Sequence, residues 1–283
     1  MRTWSIVLLL ALASCAWSCS EESGSEADSG APDGGEPDGG GYEPPTCAPG
    51  AKPGEAGSTD GLASSTGTPY NVRVPEDYDP TVGHPLLMVY SPAGATEFDT
   101  EMFTGLTPDG LAAGYIVAYA DWRSPQYDAY VADLGSIPAL IAEQWCVDEN
   151  RVYLTGYSDG GTMASLMVLW EEAQPVPAAF APSAAGVNGA YLSPQPCPPP
   201  IPVMVLHSSG DTLFPGFGAQ AAAWWAECNG CTAGPGEPAA DGCVAYTGCV
   251  EEVEVQYCEG TGAHGYWQDL NESMIQFFER FHN

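Results

Sequence analysis

Apolar residues gather along the chain in short runs separated by stretches rich in glycine, proline, serine and acid. Four runs have the length of a buried strand: His84-Pro-Leu-Leu-Met-Val-Tyr90, Gly114-Tyr-Ile-Val-Ala-Tyr-Ala120, Arg151-Val-Tyr-Leu-Thr155 and Ile201-Pro-Val-Met-Val-Leu206. Val253 to Tyr257 makes a fifth. Helix-like segments lie between and after them, at Asp133 to Gln144, Thr162 to Trp170, Ala219 to Trp225 and Ser273 to Phe281. Strands alternating with helices imply parallel pairing, with helices covering both faces of the sheet. Ligands of such sheets gather at the carboxyl ends of the strands.

The ends of the chain carry other signals. Arg2 precedes the apolar run Ser5 to Ala13, an export signal too short to span a bilayer permanently. Leu12-Ala-Ser-Cys15 resembles a bacterial lipobox, in which cleavage leaves the cysteine as an acylated N-terminus that anchors the chain to a membrane without spanning it. Cys19 is the rival position, although Trp17 suits a small-residue cleavage site badly; Ala16 is compatible with outer-membrane sorting, and a plain secreted protein is the alternative. From Ser20 to Pro45 almost nothing is apolar, so this part cannot offset its ordering entropy. The organisation read from these features is a signal peptide over 1–14, an acidic Gly/Ser/Pro-rich tether over 15–46 and one α/β domain over 47–283.

Charge and cysteine content narrow the picture further. The net charge is -31, with only six Lys and Arg against 37 Asp and Glu. Such a surface repels nucleic acid, anionic headgroups and polyuronic acids, and is read here as a solvated acidic face. Cys47, Cys146, Cys197, Cys228, Cys231, Cys243, Cys249 and Cys258 follow the lipobox region, an even set that reads as a disulfide framework in an exported chain. Cys228-Asn-Gly-Cys231 also has the spacing of a zinc or redox site, but the export signal and the lack of a nearby histidine favour bridging.

The chemistry centres on Arg151-Val-Tyr-Leu-Thr-Gly-Tyr-Ser-Asp-Gly-Gly161, a strand-like run broken by G-x-S-x-G and followed by a helix. This is the pattern of a nucleophile elbow, whose sharp turn lifts the serine oxygen towards a base. Ser158 is thus the candidate nucleophile, and a glycine-rich strand-to-helix turn is the plain alternative. Such a serine needs a histidine base and an acid, which in hydrolases with this elbow follow in the order Ser, Asp or Glu, His. Asp211 follows the run ending at Leu206, and His264 lies in the glycine-rich Gly260-Thr-Gly-Ala-His-Gly-Tyr-Trp267. Asp159 adjoins the serine and would aim elsewhere, and Asp241 lies in a Gly/Pro/Cys-rich insert. His207 ends the strand before Asp211, His282 is penultimate and reads as solvated, and His84 reads as a capping or surface residue. The oxyanion of an acyl-transfer intermediate needs donors, expected from the amide of Asp159 and, because Pro92 has no N–H, from that of Ala93 in the loop Tyr90 to Thr96.

Taken in order, these motifs resemble the polyhydroxybutyrate depolymerase and feruloyl esterase group of α/β-hydrolases, the esterase D-like enzymes of carbohydrate esterase family one. The matching segments are Cys146 to Gly161, Ala179-Phe-Ala-Pro182, Val203 to Asp211, Trp225 to Cys231 and Gly262 to Trp267. The resemblance implies an α/β-hydrolase fold with a mostly parallel sheet, stapled by disulfides, and a serine esterase using Ser158, Asp211 and His264. It further implies a Cys231 to Cys249 bridge, and no metal or organic cofactor. Partners are then a small-molecule or oligomeric ester, with no nucleic acid, a membrane reached only through the lipid anchor, and a monomeric chain. Hydroxyalkanoate esters are the first substrate expectation, feruloyl or acetyl esters of plant polysaccharide the second, and a ligand-binding lipoprotein that has lost turnover the rival from another class. Two departures stand out: Ser91-Pro92 replaces the His-Gly usual after the early strand, and Gly265-Tyr-Trp267 shifts the aromatic that follows the histidine. Trp122, Tyr157 and Trp267 are candidate stacking residues that core packing would explain equally well.

Overall fold

The computed structural model describes residues 42–123, 127–170, 176–239, 241–250 and 253–283, with the side chains of 127 and 128 left aside. The expected signal peptide, Cys15 and the tether as far as residue 41 lie outside the described residues. Among the described residues, the Tyr42 hydroxyl donates to Asp148, and Pro45 O accepts from Gly83 N at 2.7 Å.

One nine-stranded sheet organises the domain. Its strands are β1 (Gly57–Ala63), β2 (Pro69–Val74), β3 (His84–Tyr90), β4 (Ile116–Ala120), β5 (Val147–Tyr157), β6 (Ala179–Ser183), β7 (Val203–Ser208), β8 (Cys243–Tyr246) and β9 (Val255–Gly260). They stand in the order β1-β2-β4-β3-β5-β6-β7-β9-β8. The run β4-β3-β5-β6-β7-β9 is parallel throughout, while β1, β2 and β8 are antiparallel additions at the two edges.

Helices cover both faces. On one side α3 (Tyr127–Gln144), α4 (Asp159–Leu169) and α6 (Phe217–Cys228) pack over Leu86, Met88, Leu154 and Val205. On the other, α2 (Leu106–Ala112) and α7 (Asn271–Phe278) pack over Leu87, Val89, Val117 and Tyr153. Alternate residues of one strand therefore enter two different cores, which is why the central strands read as unbroken apolar runs. Two short helices complete the set, α1 (Glu97–Thr104) and α5 (Gly189–Leu192). A capping box between Thr96 and Asp99 starts α1, and Gly105, in the left-handed region at φ 59°, ends it.

All five expected strands are present, with shifted bounds. β4 begins at Ile116 because Gly114, at φ 78°, closes a turn onto Leu111 O, and β5 extends at both ends of Arg151–Thr155. Four bridges staple the domain: Cys47–Cys146, Cys197–Cys228, Cys231–Cys249 and Cys243–Cys258. Cys228 and Cys231 thus belong to separate disulfides rather than to a shared metal or redox site. Cys243 and Cys258 face each other directly in the β8–β9 register, bracing the strand that leads to His264.

Candidate active site

The site is assembled at the carboxyl ends of β3, β5, β7 and β9. β5 ends at Tyr157, and Ser158 turns the chain into α4 with φ 56° and ψ -113°. A non-glycine residue rarely adopts positive φ, so this turn carries strain that the surroundings must hold. They hold it by close backbone contact. A Cβ on Gly160 would fall 1.9 Å from Tyr90 O, and one on Gly156 would fall 2.5 Å from the Gly160 carbonyl carbon. Ser158 N donates to Ser183 O at 2.9 Å, tying the elbow to β6 as well.

From this turn the Ser158 hydroxyl lies 2.9 Å from His264 Nε2, and His264 Nδ1 lies 2.7 Å from Asp211 Oδ2. A carboxylate can only accept, so Nδ1 carries the proton and Nε2 is left to receive one from Ser158 Oγ. The other Asp211 oxygen accepts from Leu213 N at 2.8 Å and Phe214 N at 2.9 Å. Burial pushes the Asp211 carboxyl up, but the hydrogen bonds from His264 and from the Phe214 and Leu213 amides outweigh it and hold the group below the ordinary carboxylate value. Asp211 therefore stays ionised beside the imidazole.

Asp159 does not compete for the histidine. Its Oδ2 accepts from the Trp122 indole N–H at 2.9 Å, drawing the carboxylate towards the end of β4. Asp241 caps its own turn, accepting from Cys243 N at 3.0 Å. α4 starts at Asp159 with no side-chain cap, and among the described residues neither the Asp159 nor the Ala93 amide has an acceptor. Tyr90 pairs with Gly156 across β3 and β5, so the loop from Ser91 is pressed against the elbow.

The Ser91-Pro92 departure has a structural counterpart. Ser91 is buried, with Oγ 2.7 Å from Ala120 O, and it accepts from Thr100 Oγ1 at 2.6 Å. Ala95 N closes the turn onto Pro92 O at 3.0 Å, and Trp122 N donates to Ala95 O at 3.2 Å. The loop is thus held from β4 and α1.

Other residues take roles not visible in the sequence. The Tyr157 hydroxyl accepts from Gly265 N, joining the residue before the serine to the residue after the histidine. The phenol is raised from its ordinary value by burial, against the opposing pull of the Gly265 and Tyr266 amides, and so stays neutral. Phe214 sets its ring edge-on to His264 at 5.1 Å, and His207 Nε2 lies 2.8 Å from Phe214 O. Of these only Asp211-Thr-Leu-Phe214 carried a signal, an Asp opening a turn onto following amides. Trp267 is core, with its indole N–H on Asn271, while Trp122 is half-buried at the rim. His84 lies between Asp79 N and Gly114 O, and His282 is exposed as expected, with its ring stacked on Tyr42 at 4.3 Å.

Sheet order, elbow and the sequence of the three side chains are those of the α/β-hydrolase fold. No protein-family model and no curated protein matches the chain. Solved structures do. An acetyl xylan esterase from Aspergillus awamori superposes with a TM-score of 0.58 at 14% identity over 80% of this chain and 100% of that one. A bifunctional GH43-CE protein of Bacteroides eggerthii gives 0.57 at 13% identity over 79% of this chain, which spans only 38% of its length. A thermostable esterase gives 0.55 at 19% identity, with 80% of this chain and 62% of that one covered. At such identities the likeness establishes the fold.

Proposed function

We propose that this protein is a serine esterase that hydrolyses carboxylic esters through an acyl-enzyme on Ser158. The observation that carries the reading is the continuous path Ser158 Oγ, His264, Asp211 on a strained elbow at the carboxyl edge of the sheet. Ser158 Oγ attacks the ester carbonyl carbon as its proton passes to His264 Nε2. Negative charge moves to the carbonyl oxygen, facing the amides of Asp159 and Ala93. The tetrahedral intermediate collapses, the carbon–oxygen bond to the alcohol breaks, and His264 returns the proton to the departing alkoxide. A water molecule, giving its proton to His264, then releases the acid and restores Ser158. Asp211 holds the imidazole tautomer and balances its transient charge throughout.

For substrate, we propose hydroxyalkanoate esters first, on the motif resemblance, and acetyl or feruloyl esters of polysaccharide second, a reading that the likeness to an acetyl xylan esterase supports. A non-catalytic binding role would find its support in the unusual Ser91-Pro92, but hydrogen bonds from Ser91 to Ala120 and from Thr100 to Ser91 hold that loop in place. We further propose that the chain is exported as a monomer and held at the cell envelope through an acylated Cys15, outer-membrane sorting being the form that Ala16 suggests and plain secretion the alternative. The test is hydrolysis of 4-nitrophenyl acetate, hydroxybutyrate oligomers, methyl ferulate and acetylated xylan by the oxidised chain. We expect burst kinetics on the first and highest kcat/KM on the oligomers; preference for acetylated xylan would select the second reading, and a folded chain inert on all four would contradict esterase activity.

A further inference from the structure

His264 is carried on a loop with little regular structure to hold it, for residues 261–266 belong to no helix or strand. The loop begins against the turn that bears the acid, where a Cβ on Gly210 would fall 2.6 Å from Thr261 O and 2.7 Å from Gly262 O. Beyond the histidine, in the stretch where the shifted aromatic departs from the usual pattern, Gly265 turns the chain at φ 99°, a conformation open to glycine. Its amide then donates to the Tyr157 hydroxyl. Among the described residues, the hydrogen bonds made by the main chain from Gly262 to Tyr266 all run to that one oxygen.

The oxygen is itself firmly placed. Tyr157 is buried and closes β5 one residue before Ser158. Its ring is boxed by Phe103 at 4.9 Å, His264 at 5.4 Å and Trp267 at 6.2 Å. Phenylalanine would serve that packing equally well, so the hydroxyl calls for a separate account. The Gly265 nitrogen is two bonds from the His264 Cα, which means that the hydrogen bond fixes the base against the elbow rather than against its own loop. Because the phenol stays neutral, it accepts from the amide without setting a second charge beside the imidazole.

We propose that Tyr157 is a positioning residue, whose hydroxyl latches the His264–Gly265 peptide to the nucleophile elbow and so sets the reach of the base towards Ser158. The inference deepens the esterase reading and rests on it. Without the latch, His264 would be kept in line only by its own bonds to Ser158 and Asp211, and it would spend much of its time withdrawn from both. Proton transfer would then slow in acylation and deacylation alike. Asp211, facing His264 from the turn after β7, favours the charged imidazole, while Tyr157 faces it from β5 as a neutral group. A withdrawn His264 feels that carboxylate less, so the acid limb of kcat/KM, which reports protonation of the base, moves to lower pH.

The test is Tyr157→Phe, which keeps the ring and removes only the acceptor, assayed on 4-nitrophenyl acetate with His264 present and in the His264→Ala background. With the histidine present we expect kcat to fall about tenfold, the equivalent of one hydrogen bond. KM should hardly change, because both chemical steps slow together, and the acid limb should lie at lower pH than in the parent. In the His264→Ala background the same substitution should alter the residual rate by less than about twofold, since no base is left to place. Hydrogen exchange at the Gly265 amide, followed in the folded chains, should quicken in the variant. Equal kcat in parent and variant, an unmoved acid limb, the same loss with and without His264, or unchanged exchange at Gly265 would overturn the proposal. A folded parent that cleaves no ester would overturn the esterase reading and the latch with it, whereas an active parent showing any of those results would overturn the latch alone.

Discussion

Asp211 shows how much one side chain is asked to do. It receives three hydrogen bonds, from His264, Leu213 and Phe214, and so fixes the imidazole and its own turn together. Asp211→Asn keeps the shape but offers an amide where a carboxylate is needed, so kcat should fall by about 10³ to 10⁴ with a much smaller change in KM. The same contacts lower the carboxyl pKa in the folded state. Their contribution to stability is therefore present above the unfolded value of about 3.9 and is lost as pH falls through the lower folded value. Acid titrations followed by circular dichroism should show a parent-to-variant difference that is constant above about pH 5 and shrinks below about pH 4; a difference growing on acidification would contradict the assignment. At this scale the sequence was informative, because Ser158, Asp211 and His264 each sit where a run of strand-like residues stops. Tyr157 and Trp122 were not legible, since their partners, the Gly265 amide and Asp159, are brought near only by the sheet order.

Legibility among the elements follows burial. β3, β4, β5 and β7 face two cores and stand out as apolar runs, and β9, whose neighbours include an edge hairpin, does so less cleanly. β1 is a mostly exposed edge rich in glycine, and β8 is four residues held opposite β9 by a disulfide, so neither has a pattern to read. β2 does alternate, but its second set, Asn71 and Arg73, is polar and buried, with Arg73 paired to Asp60 and Glu101. β6 hides behind Pro182, an unusual residue for an interior strand. The short α1, α2 and α5 lack the length that makes helical periodicity visible. The element most sensitive to change is the elbow. Gly160→Ala would drive a methyl into Tyr90 O, and we expect a loss of more than about 4 kcal/mol or no folded protein. Denaturant unfolding close to that of the parent would show that β3 and α4 are not pressed together as described.

Across the whole molecule, a parallel sheet that places reactive groups at one edge is combined with heavy covalent bracing and an extreme acidic charge. The bridges cluster towards the strand that leads to the histidine loop: three of the four join residues between Cys197 and Cys258. Charge and cysteine number were plain in the sequence and the family resemblance implied the Cys231–Cys249 bridge, whereas the other three pairings required the fold. The central claim is that Ser158 is an activated nucleophile. It is tested most directly by treating the oxidised chain with a fluorophosphonate and locating the adduct by intact and peptide mass. The account predicts a single adduct on Ser158, absent in Ser158→Ala and slowed by several orders of magnitude in His264→Ala. A folded parent that takes up no label, or labels equally fast without His264, would contradict it.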